Sequence, residues 1–324
     1  MSVLRKMYPK ILITGASGFL GTNLSAYFFS IAQVTVHTHT TKSALSCTKS
    51  IHFDLASESE IKKAITELDV DYVIHLAAIS SPDECSRDKT RGYRINVEGT
   101  RHLLNYCNDK DIPVIYFSSD MVFDGKQGNY SEDDQPNPIN FYTETKYVAE
   151  QLTLASHESN LICRLSLAYG KSLPELAGGF IDKILLKLLN NQPVPLFDDQ
   201  YRTPIFSQDI AKAVEKIIEK KMIGDTSCSS RIFHLAGNES VTPYSVGLAL
   251  SFLYNVPESL CRPTPMDSLK DYVTRSRNCS LNNNRTNAEL GFMPRSLCET
   301  LELDKTIRLQ QTPHFNHTSL ESAT

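Results

Sequence analysis

The chain has 324 residues, of which 41% are hydrophobic and 22% charged, and it carries a net charge of −4. That length can bury a substantial core in one large or two smaller domains. The mild acidity excludes the basic footprint of a nucleic-acid binder, and neither a polybasic cluster nor an apolar run of the ~20 residues needed for a span points to a membrane.

Lys10-Ile11-Leu12-Ile13-Thr14 predicts a first strand, and Gly15-Ala16-Ser17-Gly18-Phe19-Leu20-Gly21 leads from it into an amphipathic stretch from Thr22 to Ser30. In such a turn the first glycine permits the tight bend, the second lets backbone approach a pyrophosphate and the third allows close helix packing. The N-terminus of the helix then favours phosphate charge. Gly15, Ser17, Gly18, Phe19 and Leu20 are therefore candidate dinucleotide contacts.

Further strands are expected at 34–38, 50–53, 71–75, 113–117 and 161–164, with helical patterns between most of them. Strands alternating with helices argue for an α/β fold, a doubly wound parallel sheet of Rossmann type. The second strand ends in His37-Thr38-His39-Thr40-Thr41-Lys42, without the carboxylate that would hold the ribose hydroxyls of NAD. Lys42 with hydroxyl and imidazole donors suits a 2′-phosphate, so NADP (as NADPH) is favoured and NAD is the alternative.

The fifth strand runs Val114-Ile115-Tyr116-Phe117-Ser118-Ser119, and Tyr142 and Lys146 follow at the start of a helical run. Residues i and i+4 share a helix face, so the Lys146 ammonium can lie near the Tyr142 phenol while Ser119 approaches from the strand end. Together they form an acid/base device for a carbonyl or alcohol. Bringing a tyrosine from about 10 to near 7 takes roughly 4 kcal/mol, much of which a close lysine can supply. A second pair at the same spacing, Tyr106 and Lys110, has no serine-bearing strand end upstream and is read as structural.

Beyond Arg164 the alternation loosens. A helical stretch at 179–190 and Pro193-Val194-Pro195-Leu196 begin a second region, while a helix at 208–221 and a strand at 231–235 return to the sheet. The expected division is a dinucleotide-binding domain at 1–165 plus about 203–236 and a smaller discontinuous lobe at about 166–202 plus 237–305. Residues 238–304 read as short helices and loops, and 306–324 as a flexible polar tail. In the lobe, Arg202-Thr203-Pro204 and Arg275-Ser276-Arg277-Asn278 offer guanidinium groups that could grip a diphosphate bidentately. The eight cysteines are scattered without a Cys-x-x-Cys pair, as expected of buried free thiols in a reducing cytoplasm, and Met1 to Pro9 lacks the core of a signal peptide. No histidine has metal-ligand spacing.

With Gly15-x-x-Gly18-x-x-Gly21, Asp54-Leu55, His75-Leu76-Ala77-Ala78, Asn96-Val97-Glu98-Gly99-Thr100 and Tyr142-x-x-x-Lys146 in order, the sequence resembles the extended short-chain dehydrogenase/reductases over most of residues 10–305. Phe117-Ser118-Ser119-Asp120-Met121-Val122-Phe123-Asp124-Gly125 and Pro138-x-x-x-Tyr142 make it most similar to the dTDP-4-dehydrorhamnose reductase group, which has an aromatic where Met121 stands. The resemblance implies that Asp54 and Leu55 flank an adenine, that Leu76, Ala77 and Ala78 line the cofactor, and that Asn96 belongs to the cofactor site near the sheet centre. It implies that Val122, Phe123, Arg202 and Arg275 contact a nucleotide-sugar substrate, and that Lys146 also binds the nicotinamide ribose. His75, within an apolar strand, is read as a core histidine.

The implied reaction is NADPH-dependent reduction of a nucleotide-activated 4-keto-6-deoxy sugar in the cytoplasm, with a homodimer compatible. Two rivals share the pattern. An epimerase would hold NAD tightly through its cycle. The regulatory β subunit of methionine adenosyltransferase also resembles this chain, including Phe233-His234-Leu235-Ala236-Gly237-Asn238-Glu239, and would bind a partner without turnover.

Overall fold

The computed structural model describes residues 8–40, 49–66, 68–171, 179–268 and 273–311. The first six strands are β1 (Lys10–Thr14), β2 (Gln33–Thr38), β3 (Lys49–His52), β4 (Tyr72–His75), β5 (Val114–Ser119) and β6 (Leu161–Leu165). Three short strands follow, β7 (Ala168–Tyr169), β8 (Val194–Phe197) and β9 (Ile205–Phe206), before β10 (Ile232–Leu235) and β11 (Cys261–Thr264). The main sheet has seven strands in the order β10-β6-β5-β4-β1-β2-β3, with all pairings parallel. The chain winds one way from β1 and the other way from β4, so the strand order reverses between these two. Ligands of open α/β sheets bind at such a point, beyond the carboxyl ends of the strands.

Ile11, Leu12 and Ile13 are wholly buried, as a strand covered on both faces requires. α1 (Phe19–Phe28) follows β1, α2 (Glu58–Ile65) follows β3, and α3 (Pro82–Arg87) and α4 (Lys89–Tyr93) lead through a π-helical turn, Arg94–Gly99, into α5 (Thr100–Asp109). α6 (Phe141–Ser156) joins β5 to β6. Its start is fixed by Asn140, whose side chain accepts from the Thr143 amide while Thr143 Oγ1 accepts from the Asn140 amide. This cap places Tyr142 and Lys146 in the first two turns.

Later in the chain come α7 (Phe180–Leu189), α8 (Ser207–Met222), α9 (Pro243–Tyr254), α10 (Asn284–Leu290) and α11 (Leu297–Gln311). α8 packs against α1 over Ile11, Ile13, Phe117, Cys163 and Phe233, and Leu12, Val73, Leu103 and Val114 form the core on the opposite face. A third cluster joins α7, α9 and α11 to β8 and β11 through Ile184, Leu188, Leu196, Val246, Leu250 and Leu301. Two expectations change here. Residues 306–311 belong to α11 rather than to a tail, and 238–304 hold the 12-residue α9 and the start of the 15-residue α11. α9 starts at Thr242-Pro243 with a Thr242/Ser245 capping box, a signal the sequence displays.

Behind the site, Glu150 of α6 and Arg164 of β6 form a doubly hydrogen-bonded pair with both side chains almost wholly buried. The guanidinium also lies over the Phe123 ring. Taking two charges from water is costly, and removing one partner strands the other. Arg164→Met should therefore lower the unfolding free energy by about 3–5 kcal/mol in urea melts, and adding Glu150→Leu should restore most of it.

Candidate active site

The carboxyl ends of β1, β2, β4, β5 and β6 open onto a cleft of about 870 Å³, a size suited to a cofactor or small ligand. Its far wall comes from β8, Gln200, Arg202, Thr264 and Arg275.

At one end lies the glycine turn. Gly15 has φ +68°, and a Cβ there would come within 2.8 Å of Ala77 Cα, while a Cβ on Gly21 would run into the Gly15 carbonyl. Gly18 caps α1 without a side-chain bond, and no acid occupies the first turn of the helix. A helix N-terminus left uncapped at a cleft wall fits an anionic pyrophosphate. Gly15, Ser17, Gly18, Phe19 and Leu20 all line the cleft, as do Asp54, Leu55, Leu76, Ala77 and Ala78.

Two expected cofactor contacts resolve differently. Asn96 is not in the cleft wall: its amide accepts from the Ile79 N–H at 2.8 Å and donates to Ile79 O at 3.1 Å and Thr145 Oγ1 at 3.1 Å. It fastens the loop after β4 to α6 from behind. His37 is stacked on Phe53, with Nε2 at 2.9 Å from Phe53 O and Nδ1 receiving the Gly15 N–H at 3.4 Å. Burial lowers its pKa to about 4, so it braces the turn as a neutral ring and is no donor to a 2′-phosphate. His39 and Thr40 line the wall beside it. Lys42 lies outside the described residues.

Ser119, Tyr142 and Lys146 meet on the opposite side of the cleft. Lys146 donates to Phe117 O at 2.6 Å and lies over the Tyr116 ring. Burial lowers its pKa to about 7, with Glu150 and Cys85 pulling the other way. Tyr142 is held well above its ordinary value, by burial first, then by the carboxylate of Asp120 and by Cys85. Ser119 and Arg202 oppose that rise. The expectation that Lys146 draws the phenol down thus gives way to a different balance: the ammonium is turned to a carbonyl, and the charge beside the phenol is negative. Tyr106 and Lys110 bind the backbone oxygens of Ile65 and Thr66 away from the cleft, as structural residues do. His75 is likewise a core histidine, bonded to Thr14 Oγ1 at 2.7 Å and Thr100 Oγ1 at 3.0 Å.

On the substrate side, Val122 and Phe123 are wholly buried in a cluster with Tyr130, Ala236 and Leu281, and Phe123 stacks on Tyr130. They are core rather than contact residues, and Met121 faces the cleft in their place. Arg202 lines the cleft but is bound to Asp120 at 2.7 Å. Arg275 lines it and reaches Asp83 at 3.1 Å, whereas Arg277 pairs with Asp199 and Asp267 and is not in the wall. Asp120 and Ser166, which join Ser119 to the far wall, were not among the expected site residues. Asp120 lies inside the Ser118-Ser119-Asp120 segment, and Ser166 follows directly on the end of β6.

A family model described as the RmlD substrate binding domain matches residues 9–305. The probable low-salt glycan biosynthesis reductase of Haloferax volcanii is 28% identical over 284 residues, which cover 86% of this chain and 91% of that protein. Methionine adenosyltransferase 2 subunit beta of Bos taurus is 29% identical over 279 residues, covering 85% and 81%. Among solved structures, dTDP-4-dehydrorhamnose reductase from Bacillus anthracis in complex with NADP has a TM-score of 0.80 over 93% of this chain and 100% of that one. At 21% identity that likeness shows the fold.

The lowered lysine has a measurable consequence. Between pH 7 and the ordinary lysine value of 10.5, the unfolded chain binds a proton at Lys146 that the folded chain does not. Stability therefore rises with pH across that window, by at most about 1.4 kcal/mol per pH unit. Urea melts of wild type beside Lys146→Met from pH 7 upward should show the wild type gaining on the variant. A difference that stays constant with pH would contradict the burial of this charge.

Proposed function

The chain belongs to the RmlD substrate binding domain family, and on that premise we propose that it reduces the 4-keto group of a nucleotide-activated 6-deoxy sugar with NADPH. The observation that carries this reading is the meeting of Tyr142, Ser119 and Lys146 across one cleft from an uncapped, glycine-entered helix N-terminus. When bound, the nicotinamide supplies the hydride for the carbonyl carbon.

The protein's own residues do the rest. Gly15, Gly18 and the first turn of α1 receive the pyrophosphate, and Asp54 and Leu55 flank the adenine at the cleft edge. His39 and Thr40 receive the 2′-phosphate where a carboxylate would repel it, which favours NADPH over NADH. Tyr142, protonated at neutral pH, gives its proton to the oxygen that becomes alkoxide as hydride arrives, so hydride and proton together turn the ketone into an alcohol. Ser119 would hold that oxygen, and Lys146, which would bind the nicotinamide ribose when the cofactor is present, supplies positive charge as the phenolate forms. A dehydratase of the resembled superfamily typically carries an acidic residue directly after the aspartate, where this chain has Met121, which argues against dehydration. The H. volcanii relative, named a reductase, supports the same chemistry.

A second reading rests on the bovine relative, which is named as a subunit of methionine adenosyltransferase. In that role the same cleft would hold NADP and the chain would act by binding a catalytic partner.

NADPH oxidation followed at 340 nm with dTDP-4-keto-6-deoxy sugar decides between them. Wild type should turn over, and Tyr142→Phe should lower kcat about 10²–10⁴-fold while NADPH affinity stays within about twofold. Undiminished turnover in the variant would remove Tyr142 as the acid. NADPH binding without turnover, together with a co-purifying catalytic subunit, would move the assignment to the regulatory role.

A further inference from the structure

Tyr142 sits in an apolar patch of the cleft wall. It forms a buried cluster with Ile79 and Cys85, and Ile95, Met121 and Phe141 pack against that cluster. Ile79, Ile95, Met121 and Tyr142 all line the cleft, as does Pro82. Four separate segments contribute: Ile79 from the loop after β4, Ile95 from the π-helical turn before α5, Met121 from the 3-10 turn after β5, and Tyr142 from the first turn of α6.

The backbone of this patch is also spent. The Ile79 N–H donates to Asn96 Oδ1 at 2.8 Å, and Ile79 O accepts from Asn96 Nδ2 at 3.1 Å and from Cys85 Sγ at 3.5 Å. The Met121 N–H donates to Ser119 Oγ at 3.2 Å, and Tyr142 O accepts from Thr145 Oγ1 at 2.7 Å. A hydroxyl pressed onto Ile79 or Met121 gives up its water and meets hydrocarbon, thioether and backbone groups already paired, whereas a methyl gives up nothing and gains burial.

We propose that Met121 and Ile79 are specificity-determining residues that read the carbon attached beside the reacting centre, selecting a sugar that ends there in a methyl over the same sugar ending in a hydroxymethyl. This deepens the reading of the chain as a reductase of 4-keto-6-deoxy sugars and rests on it. An oxygen that takes the Tyr142 proton lies about 2.6–3.2 Å from the phenol. The C6 carbon is only two bonds from the C4 carbonyl carbon, so it meets whatever surrounds Tyr142. The ring's other neighbour, C3, carries a hydroxyl that this patch would strand, which leaves the C5 side with its methyl to face Met121 and Ile79. Ile79 is held in place through both of its backbone groups, and Met121, unbranched and adaptable, closes on the methyl from the other side of the acid. An apolar pocket rejects an added hydroxyl by about 10²-fold, so the preference expected is about ten- to a hundredfold.

The test is equilibrium binding of two sugars that differ by one oxygen, dTDP-6-deoxy-D-glucose and dTDP-D-glucose, by calorimetry on the full chain with NADP present and with the UDP-linked pair run in parallel. None of these sugars has a ketone to reduce, so the readout needs no turnover. Wild type should bind the 6-deoxy sugar about ten- to a hundredfold more tightly. Met121→Gln, which puts an amide of similar length on the wall, should bring the two within about threefold by tightening the hydroxylated sugar. Met121→Leu should keep the wild-type ratio, and Met121→Thr replaces the glutamine variant should that one not fold. Equal binding of the two sugars by wild type overturns the proposal, and so does an unchanged ratio in a folded polar variant; reduction through Tyr142 then still stands or falls on NADPH oxidation. Discrimination in binding without turnover of any keto sugar removes the reductase reading and keeps this one. A chain that binds neither pair overturns both.

Discussion

The site is built over a hydrogen-bond chain at the point where the strand order reverses. Thr100 Oγ1 donates to Asn96 O, which leaves it to accept from His75 Nε2, so His75 Nδ1 must accept from Thr14 Oγ1. Thr14 in turn receives the Leu76 and Ala77 amides at 3.1 and 3.2 Å. The chain fixes a neutral imidazole in one tautomer and ties the ends of β1 and β4 and the start of α5 to one another. Burial keeps the ring neutral by lowering its pKa to about 3. The backbone at Ala77 is thereby brought so close to the turn after β1 that only glycine fits at residue 15. A charged or displaced histidine would break three elements at once, because each hydroxyl in the chain has its donor and acceptor roles already assigned.

The electrostatics follow from the same close packing. Lys146 and Tyr142 are both almost fully buried, and low polarity penalises the charged form of each, so the lysine goes down and the tyrosine goes up. Near neutral pH this yields a protonated phenol beside a lysine that is only partly charged. A proton donor needs its proton more than it needs a low pKa before reaction, and the arrangement supplies that. Positive charge for the phenolate is wanted only as hydride transfer proceeds. A lysine poised near neutrality, one turn from the phenol and anchored on Phe117 O, is placed to provide it.

The fold was legible because it is written in short-range pattern. Apolar runs of strand length, the glycine turn and the helical patterns between the strands each specify local geometry, and their alternation permits few topologies. The lining residues of the glycine turn followed for the same reason, whereas Leu76-Ala77-Ala78 came from the family resemblance. The errors were of another kind. Val122 and Phe123 sit beside Ser119 in sequence, but the 3-10 turn Asp120–Val122 sends them inward, and a contiguous segment cannot show which way its side chains point. His37 and Asn96 are polar groups whose partners, Phe53 O and the Ile79 backbone, lie 16 and 17 residues away. Such partners become visible only when the strands are in register. Arg202 is the same case on a longer scale: as sequence it was a free guanidinium, and in the fold it is one end of a pair with a residue 82 positions earlier.

That pairing bears on how an anionic ligand could enter. All three arginines first considered for a diphosphate already face carboxylates, yet the pairs differ in what exchange would cost. Arg202 and Asp120 are 12% and 3% exposed, so opening their bridge strands a carboxylate in the interior, beside the acid. Arg275 and Asp83 are each about one-third exposed, and an ion pair that water can reach is worth little. A phosphate competing for Arg275 therefore displaces a carboxylate that solvent readily takes back. Asp83 belongs to α3 and Arg275 to the far wall, so exchange of this bridge for a ligand phosphate leaves the Asp120–Arg202 pair, and with it the interior around Ser119 and Tyr142, untouched.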